Sequence, residues 1–200
     1  FQQNGRPAAY SMVAKPCAHV RVHSLPRCAE LSKPTISSIR TEDVGHFLSL
    51  SGTVTRAAAV RMLHAERKVA CAKCGLVHRV RADLERHNEM ALPAECGNEE
   101  GAKRCASTTF NPVDGTEVCR DYQEIRVQEQ VQRLSVGAVP RSMVVVLEDD
   151  LVDAAKPGDD VLVTGVVVRR WRPLRAESRP EIELVLRANH VTVCNQLVGA

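Results

Sequence analysis

Four cysteines carry the most specific chemistry in this sequence. Cys71 and Cys74 are separated by two residues, and Cys96 and Cys105 follow 21 residues later with eight residues between them. A C-x-x-C pair brings two thiolates onto one ion, and Gly75 permits the tight backbone turn after the second of them. Four thiolates close a tetrahedral shell around zinc and leave no position for water, so the implied role is structural rather than catalytic. The gap before Cys105 is wider than the usual two to four residues. Cys119, His78 and His87 therefore stay open as alternative fourth ligands. The insert that holds these cysteines is poor in large apolar residues, so the metal would supply much of its folding free energy.

A second chemistry lies in the arginines. The chain has 21 Arg and 6 Lys, and the planar guanidinium grips phosphate bidentately where an ammonium acts as a point charge. The densest run, RRWRPLRAESRP at 169–180, holds Arg169, Arg170, Arg172, Arg175 and Arg179 against a single Glu177. Five like charges on one hairpin repel one another unless an anion approaches, and single-stranded DNA is such an anion. Trp171, the only tryptophan, reads as a support at the hairpin root. Aromatics make up 3% of the chain, too few for a base-stacking groove, so a bound strand would be held by its backbone with little sequence preference.

The elements that must position these groups read as strands. Leu48, Leu50 and Val54 alternate with Ser49, Ser51, Thr53 and Thr55, with Gly52 marking a bend or bulge. Ile125 and Val127 alternate with Glu124, Arg126 and Gln128. Met143, Val145 and Leu147 make a third strand, and Val161, Val163 and Val167 a fourth. Ile182, Leu184 and Leu186 followed by Val191 and Val193 make a fifth, broken near Ala188 and Asn189. Five strands without a long helix between them predict a mainly β, five-stranded OB-fold barrel, a fold whose face and loops bind oligonucleotides. A segment of about 50 residues separates the first strand from the second, far beyond an ordinary loop. The expected organisation is an arm over 1–40, a barrel over 41–69 and 119–195, and a four-cysteine zinc-binding insert over 70–118.

Length and composition, with 200 residues, 44% hydrophobic, 26% charged and a net charge of +3, fit a globular protein. No run approaches the ~20 apolar residues of a membrane helix. Residues 1–10 lack the charged-then-apolar pattern of a leader. The expectation is a reducing compartment, in which the eight cysteines serve as metal ligands rather than disulfides; a Cys96–Cys105 disulfide is the less favoured arrangement. The chain does not start with Met, which suggests a fragment. The acidic run Glu148, Asp149, Asp150 with Asp153 lacks the EF-hand pattern and reads as a solvated turn. No G-x-x-x-x-G-K-[ST] occurs, hence no phosphate-cradling P-loop and no ATPase in these residues.

These features occur together in one family. The run DVGHFLSLSGTVTR at 43–56, the cysteine insert and DYQEIRVQE at 121–129 resemble the N-terminal region of MCM (minichromosome maintenance) helicases. So do VPRSM at 139–143, LEDDLVD at 147–153 and PGD at 157–159. Within the family, CRDYQEI at 119–125 and QVQRLSVG at 130–137 look most like the ninth paralogue, a subunit of homologous recombination that works with the eighth. The resemblance implies a zinc-bearing OB-fold in a hexameric nuclear ring of MCM subunits around DNA, with ATP and Mg2+ confined to a motor domain outside these residues. It implies that Arg56 and Arg126 face single-stranded DNA, that the arginine hairpin projects into the channel, and that the loop bounded by Gln130 and Arg141 couples to the motor. The family's N-terminal helical subdomain would survive only as a remnant before residue 40. Two rival readings are a stand-alone single-stranded DNA-binding protein of OB type and a protein-interaction module whose basic hairpin docks an acidic partner.

Overall fold

The computed structural model describes residues 18–28, 30–99, 104–134, 137–172, 179 and 181–195. Nine strands follow in chain order: β1 (Ser32–Lys33), β2 (Phe47–Ala57), β3 (Arg61–Cys71), β4 (Val77–Arg81), β5 (Phe110–Pro112), β6 (Val118–Gln128), β7 (Ser142–Glu148), β8 (Asp160–Trp171) and β9 (Ile182–Val193). Among the described residues the helical segments are single 3₁₀ turns, and none is long and apolar enough to cross a membrane.

Alternation with one buried face builds the frame. On β2 the side chains of Leu48, Leu50 and Val54 are at most 1% exposed. On β6 Ile125 and Val127 are equally buried, and Met143, Val145, Leu147, Val161, Val163, Val167 and Leu186 complete the same core. β2 pairs antiparallel with β8 through residues 47–53 and with β6 through residues 53–57. β8 pairs with β9, β9 with β7, and β7 with β6, so the pairing path returns to β2. The close approach of β2 to β6 requires Gly52, where an added Cβ would lie 2.5 Å from both the Gln128 carbonyl oxygen and Val127 Cγ1. The bend expected at Gly52 is thus a point of contact, and the bulge falls beyond it at Thr55.

Several expectations change in detail. The core begins before residue 41: the 3₁₀ turn Ile36–Ser38 places Ile36 and Ile39, three residues apart and both under 8% exposed, against it. Residues within the expected arm are also held. Asn189 receives the Val22 N–H and donates its amide to the Val20 carbonyl, while Thr164 Oγ1 donates to the Val22 carbonyl. Asn189 can do this because it is the extra residue of a bulge between Thr164–His190 and Gly165–Ala188. The break foreseen near Ala188 is that bulge, inside one continuous strand.

β3 runs from the frame into the insert without interruption, pairing with β6 at Arg61–Glu66 and with β4 and β5 further on. β7 is buried on both faces, Val144 and Val146 included. The acidic run from the end of β7 forms a turn with Asp150 and Asp153 exposed, and its carboxylates also find partners. Asp150 binds Arg21, Glu148 binds Arg187, and the Asp153 carboxylate accepts from Gln123 Nε2.

Candidate metal centre and nucleic-acid interface

The insert folds around its cysteines. The Gly75 N–H donates to the Cys71 carbonyl and the Cys71 N–H to the Leu76 carbonyl, each at 2.9 Å, closing the first knuckle. In the second, Gly97 N–H donates to the Cys105 carbonyl and Cys105 N–H to the Asn98 carbonyl, also at 2.9 Å. This pairing returns the chain to the site, so an eight-residue gap still presents two thiols. Both Gly75 and Gly97 have positive φ, +75° and +64°, which glycine adopts without a Cβ clash.

The ligand atoms of Cys71, Cys74, Cys96 and Cys105 lie within 4.8 Å of one another. Sγ–Sγ distances are 3.9 Å for Cys71–Cys105 and 3.4 Å for Cys74–Cys96. Thiolates placed ~2.3 Å from a common centre form a tetrahedron with edges of about 3.8 Å, so the set fits zinc. All four are free thiols. The Cys71 thiol is brought down to about 6, foremost by the Cys74 N–H donating to it, whereas burial pushes Cys96 up to about 12. A thiolate already favoured at neutral pH gives an arriving cation its first ligand.

Of the three alternative ligands, one borders the cluster and two lie away from it. His78 Nε2 is 3.4 Å from Cys96 Sγ and its ring stands edge-on to Phe110, beside the cluster rather than in it. Cys119 is exposed on β6, opposite His64 on β3. His87 donates from Nε2 to the Trp171 carbonyl at 2.7 Å.

The arginines divide into two groups. Arg56 and Arg126 are exposed and directly opposite each other across β2 and β6. Like charges facing each other across a strand pair are unfavourable. Among the described residues, no ion pair involves either of them, and Arg126 donates to Ser142 Oγ at 3.4 Å. Two adjoining grooves share Arg126: one carries Arg56 and Glu124, the other Arg141, Arg172 and Glu183.

The hairpin arginines are arranged otherwise. Arg170 is 6% exposed, with Nη1 bound to Glu124 and Nη2 to Glu183, both at 2.7 Å. Glu124 also accepts from the Tyr122 hydroxyl at 2.6 Å. Burial works to raise the Glu124 pKa, but Tyr122 and Arg170 outweigh it and hold the carboxyl below its usual range. Arg169 binds Glu85, and Arg172 binds Glu181 at 2.6 Å and reaches Glu183 at 3.7 Å. Arg179 is exposed, and Arg175 lies outside the described residues. Mutual repulsion was expected here; the root of the hairpin is instead neutralised by four glutamates, all of them outside the motif that drew attention to it. Trp171 ends β8 and stays 39% exposed.

Sequence reasoning also missed Glu129. It is 3% exposed and accepts from Ser37 N–H and Oγ at 2.6 and 2.7 Å and from Arg141 N–H at 2.8 Å. The Glu129 N–H in turn donates to the Arg141 carbonyl. One carboxylate thereby closes the base of the loop between half-buried Gln130 and exposed Arg141, and ties it to the turn at Ile36–Ser38. Burial would raise its pKa, but the donors from Arg141 and Ser37 prevail and the net direction is down.

Fold and site together define a mainly β module with a four-thiol finger set into it. Residues 35–170 match the model of the MCM OB domain, and the chain belongs to the MCM family. It is 41% identical over 195 residues, 96% of its length, to the probable DNA helicase MCM9 of Oryza sativa subsp. japonica. It is 39% identical over 92% of its length to the probable DNA helicase MCM9 of Arabidopsis thaliana, and 31% identical over 74% to the probable DNA helicase MCM8 of the same plant. The chain spans 29% of each MCM9 relative and 18% of the MCM8.

Proposed function

We propose that these residues form the DNA-gripping N-terminal module of an MCM-type, ATP-dependent DNA helicase subunit. The cycle of β2, β8, β9, β7 and β6 is the OB barrel, and one zinc ion on Cys71, Cys74, Cys96 and Cys105 fixes the shape of the insert. The observation that carries the reading is the face-to-face pair Arg56 and Arg126, which forms no ion pair among the described residues and adjoins the groove holding Arg141 and Arg172. A phosphate placed between the two guanidiniums relieves their repulsion and receives fork-like hydrogen bonds. Contacts of this kind position the strand and carry no base code, so binding is independent of sequence, to single strands and to duplex. Exposed Arg179, and Arg175 near it in sequence, add further phosphate contacts.

The chain's resemblance to the MCM9 branch supports action in the nucleus, in a ring with other MCM subunits, the eighth paralogue among them, in homologous recombination and in DNA replication. The loop bounded by Gln130 and Arg141, closed at its base by Glu129 and bearing Val131 and Val139 at 67% and 81% exposure, is the coupling surface to the motor. ATP hydrolysis belongs to the part of the subunit outside these residues.

Titration of fluorescent single strands of unrelated sequence, at several salt concentrations, tests the proposal. Similar affinities that fall with salt by ~0.7 log units per log unit for each phosphate contact support it. Binding to one sequence alone, or none to any, contradicts it.

A further inference from the structure

The outer end of the β8–β9 hairpin projects beyond its neighbours. β2 pairs with β8 through Val166, and β7 pairs with β9 through residues 185–187. The rungs Arg169–Leu184, Arg170–Glu183 and Trp171–Ile182 therefore form a two-stranded ribbon that pairs with no further strand among the described residues. Such a ribbon is marginal by itself in water. Side chains from two other places hold it. Arg170 reaches across to Glu124 on β6. The other support comes from the insert, 84 residues away in sequence.

That support is the loop at residues 83–89, which is shaped before it meets the hairpin. The Asp83 carboxylate accepts from Glu85 N–H at 2.9 Å, Asn88 N–H donates to the Asp83 carbonyl at 2.8 Å, and Asp83 N–H donates to the Glu89 carbonyl at 3.0 Å. His87 and Asn88 turn the chain back with φ of 55° and 63°. This geometry presents Glu85 and His87 toward β8. Both Glu85 carboxylate oxygens lie 3.1 Å from Arg169 Nε, and His87 donates to the carbonyl of Trp171, two residues on. Two attachment points on one strand fix both its position and its direction. Glu85 engages Arg169 through Nε, and the Arg169 side chain stays 52% exposed.

We infer that Glu85 and His87 are positioning residues for the hairpin, so that the insert sets where the hairpin arginines stand. The effect on DNA rests on the function proposed above; the effect on the hairpin does not. The test therefore reads both, on the 200-residue chain loaded with zinc. Amide hydrogen exchange is followed by mass spectrometry, and single-stranded DNA affinity by fluorescence anisotropy. The double variant Glu85→Ala/His87→Ala should speed exchange in the segments containing Arg169–Trp171 and Ile182–Leu184 by about tenfold or more, as expected for a locally opened ribbon, and leave β6 unchanged. Its affinity should fall several-fold. The charge swap Glu85→Arg/Arg169→Glu should restore protection toward the parent, whereas each single reversal should not.

Unchanged exchange in the double variant overturns the positioning role. Tighter DNA binding by Glu85→Gln with unchanged exchange also overturns it, since Glu85 would then be a competitor for Arg169. Faster exchange with unchanged affinity upholds the positioning role and removes the hairpin from the DNA contact.

Discussion

Arg56 and Arg126 face each other on neighbouring strands with no ion pair to either among the described residues, whereas Arg169, Arg170 and Arg172 each hold one or two glutamates. Both regions are rich in arginine, and the hairpin is richer. Among the described arginines of the two regions, the strand pair keeps the repulsion that an anion would relieve. Local density of positive charge is therefore a weaker guide to a phosphate site than unrelieved repulsion. The buried Arg170 illustrates the other use of the residue, cross-bracing β6 to β9 through two carboxylates.

The largest perturbation separates the two regions outright. Cys71→Ser, or removal of zinc by a chelator, should abolish one zinc per chain and unfold the insert, since structural zinc contributes about 10–16 kcal/mol in small zinc peptides. Elemental analysis and exchange of β4 would show it. The hairpin should loosen with its lost support while β2 and β6, paired at Arg56–Arg126, keep their protection. Equal loss in both regions would mean that the insert stabilises the whole fold.

A smaller effect sharpens the contrast from the other side. Arg170→Met leaves Glu124 and Glu183 without their cation. Both glutamates are partly exposed, at 33% and 26%, so water softens the loss, and urea denaturation should show about 2 kcal/mol of destabilisation. By contrast, Arg56→Met should be neutral or slightly stabilising in the same assay, because it removes a repulsion.

The smallest effect concerns the loop base. The Glu129 carboxyl titrates below its ordinary value when folded, so its contribution is complete above the ordinary carboxylate pKa and disappears as pH falls through the lowered one. Glu129→Gln should cost about 1 kcal/mol at neutral pH, and the difference from the parent should vanish in acid. A difference that persists at the lowest pH would assign the effect to shape rather than charge.

Part of this was legible in the sequence because it depends on local rules. Period-two alternation exposes β2, β6 and β7, whose inner faces are fully buried, and cysteine spacing exposes the metal site. β3, RMLHAERKVAC, left no such trace. Most of its residues are exposed or half-buried, so nothing in it alternates between oil and water. The partners of Arg170 are 46 and 13 residues away, and those of Arg169 and Trp171 lie 84 residues away in the insert. No short window of sequence contains the pairs 46 and 84 residues apart, and the hairpin therefore read as bare positive charge. Glu129 sat in an unremarkable run of polar residues, and only folding brings Ser37 and Arg141 to it.

The proposed grip on DNA is the unrelieved arginine pair, Arg56 and Arg126. The direct measurement is the salt dependence of single-stranded DNA affinity for the parent, for Arg56→Ala/Arg126→Ala and for Arg170→Met, with each variant confirmed folded by exchange protection of β7. The double variant should bind much more weakly, with a salt slope reduced by about 0.7 for the one phosphate held between the two guanidiniums, while Arg170→Met keeps the parent slope. An unchanged slope in the double variant, with a reduced one in Arg170→Met, would contradict it.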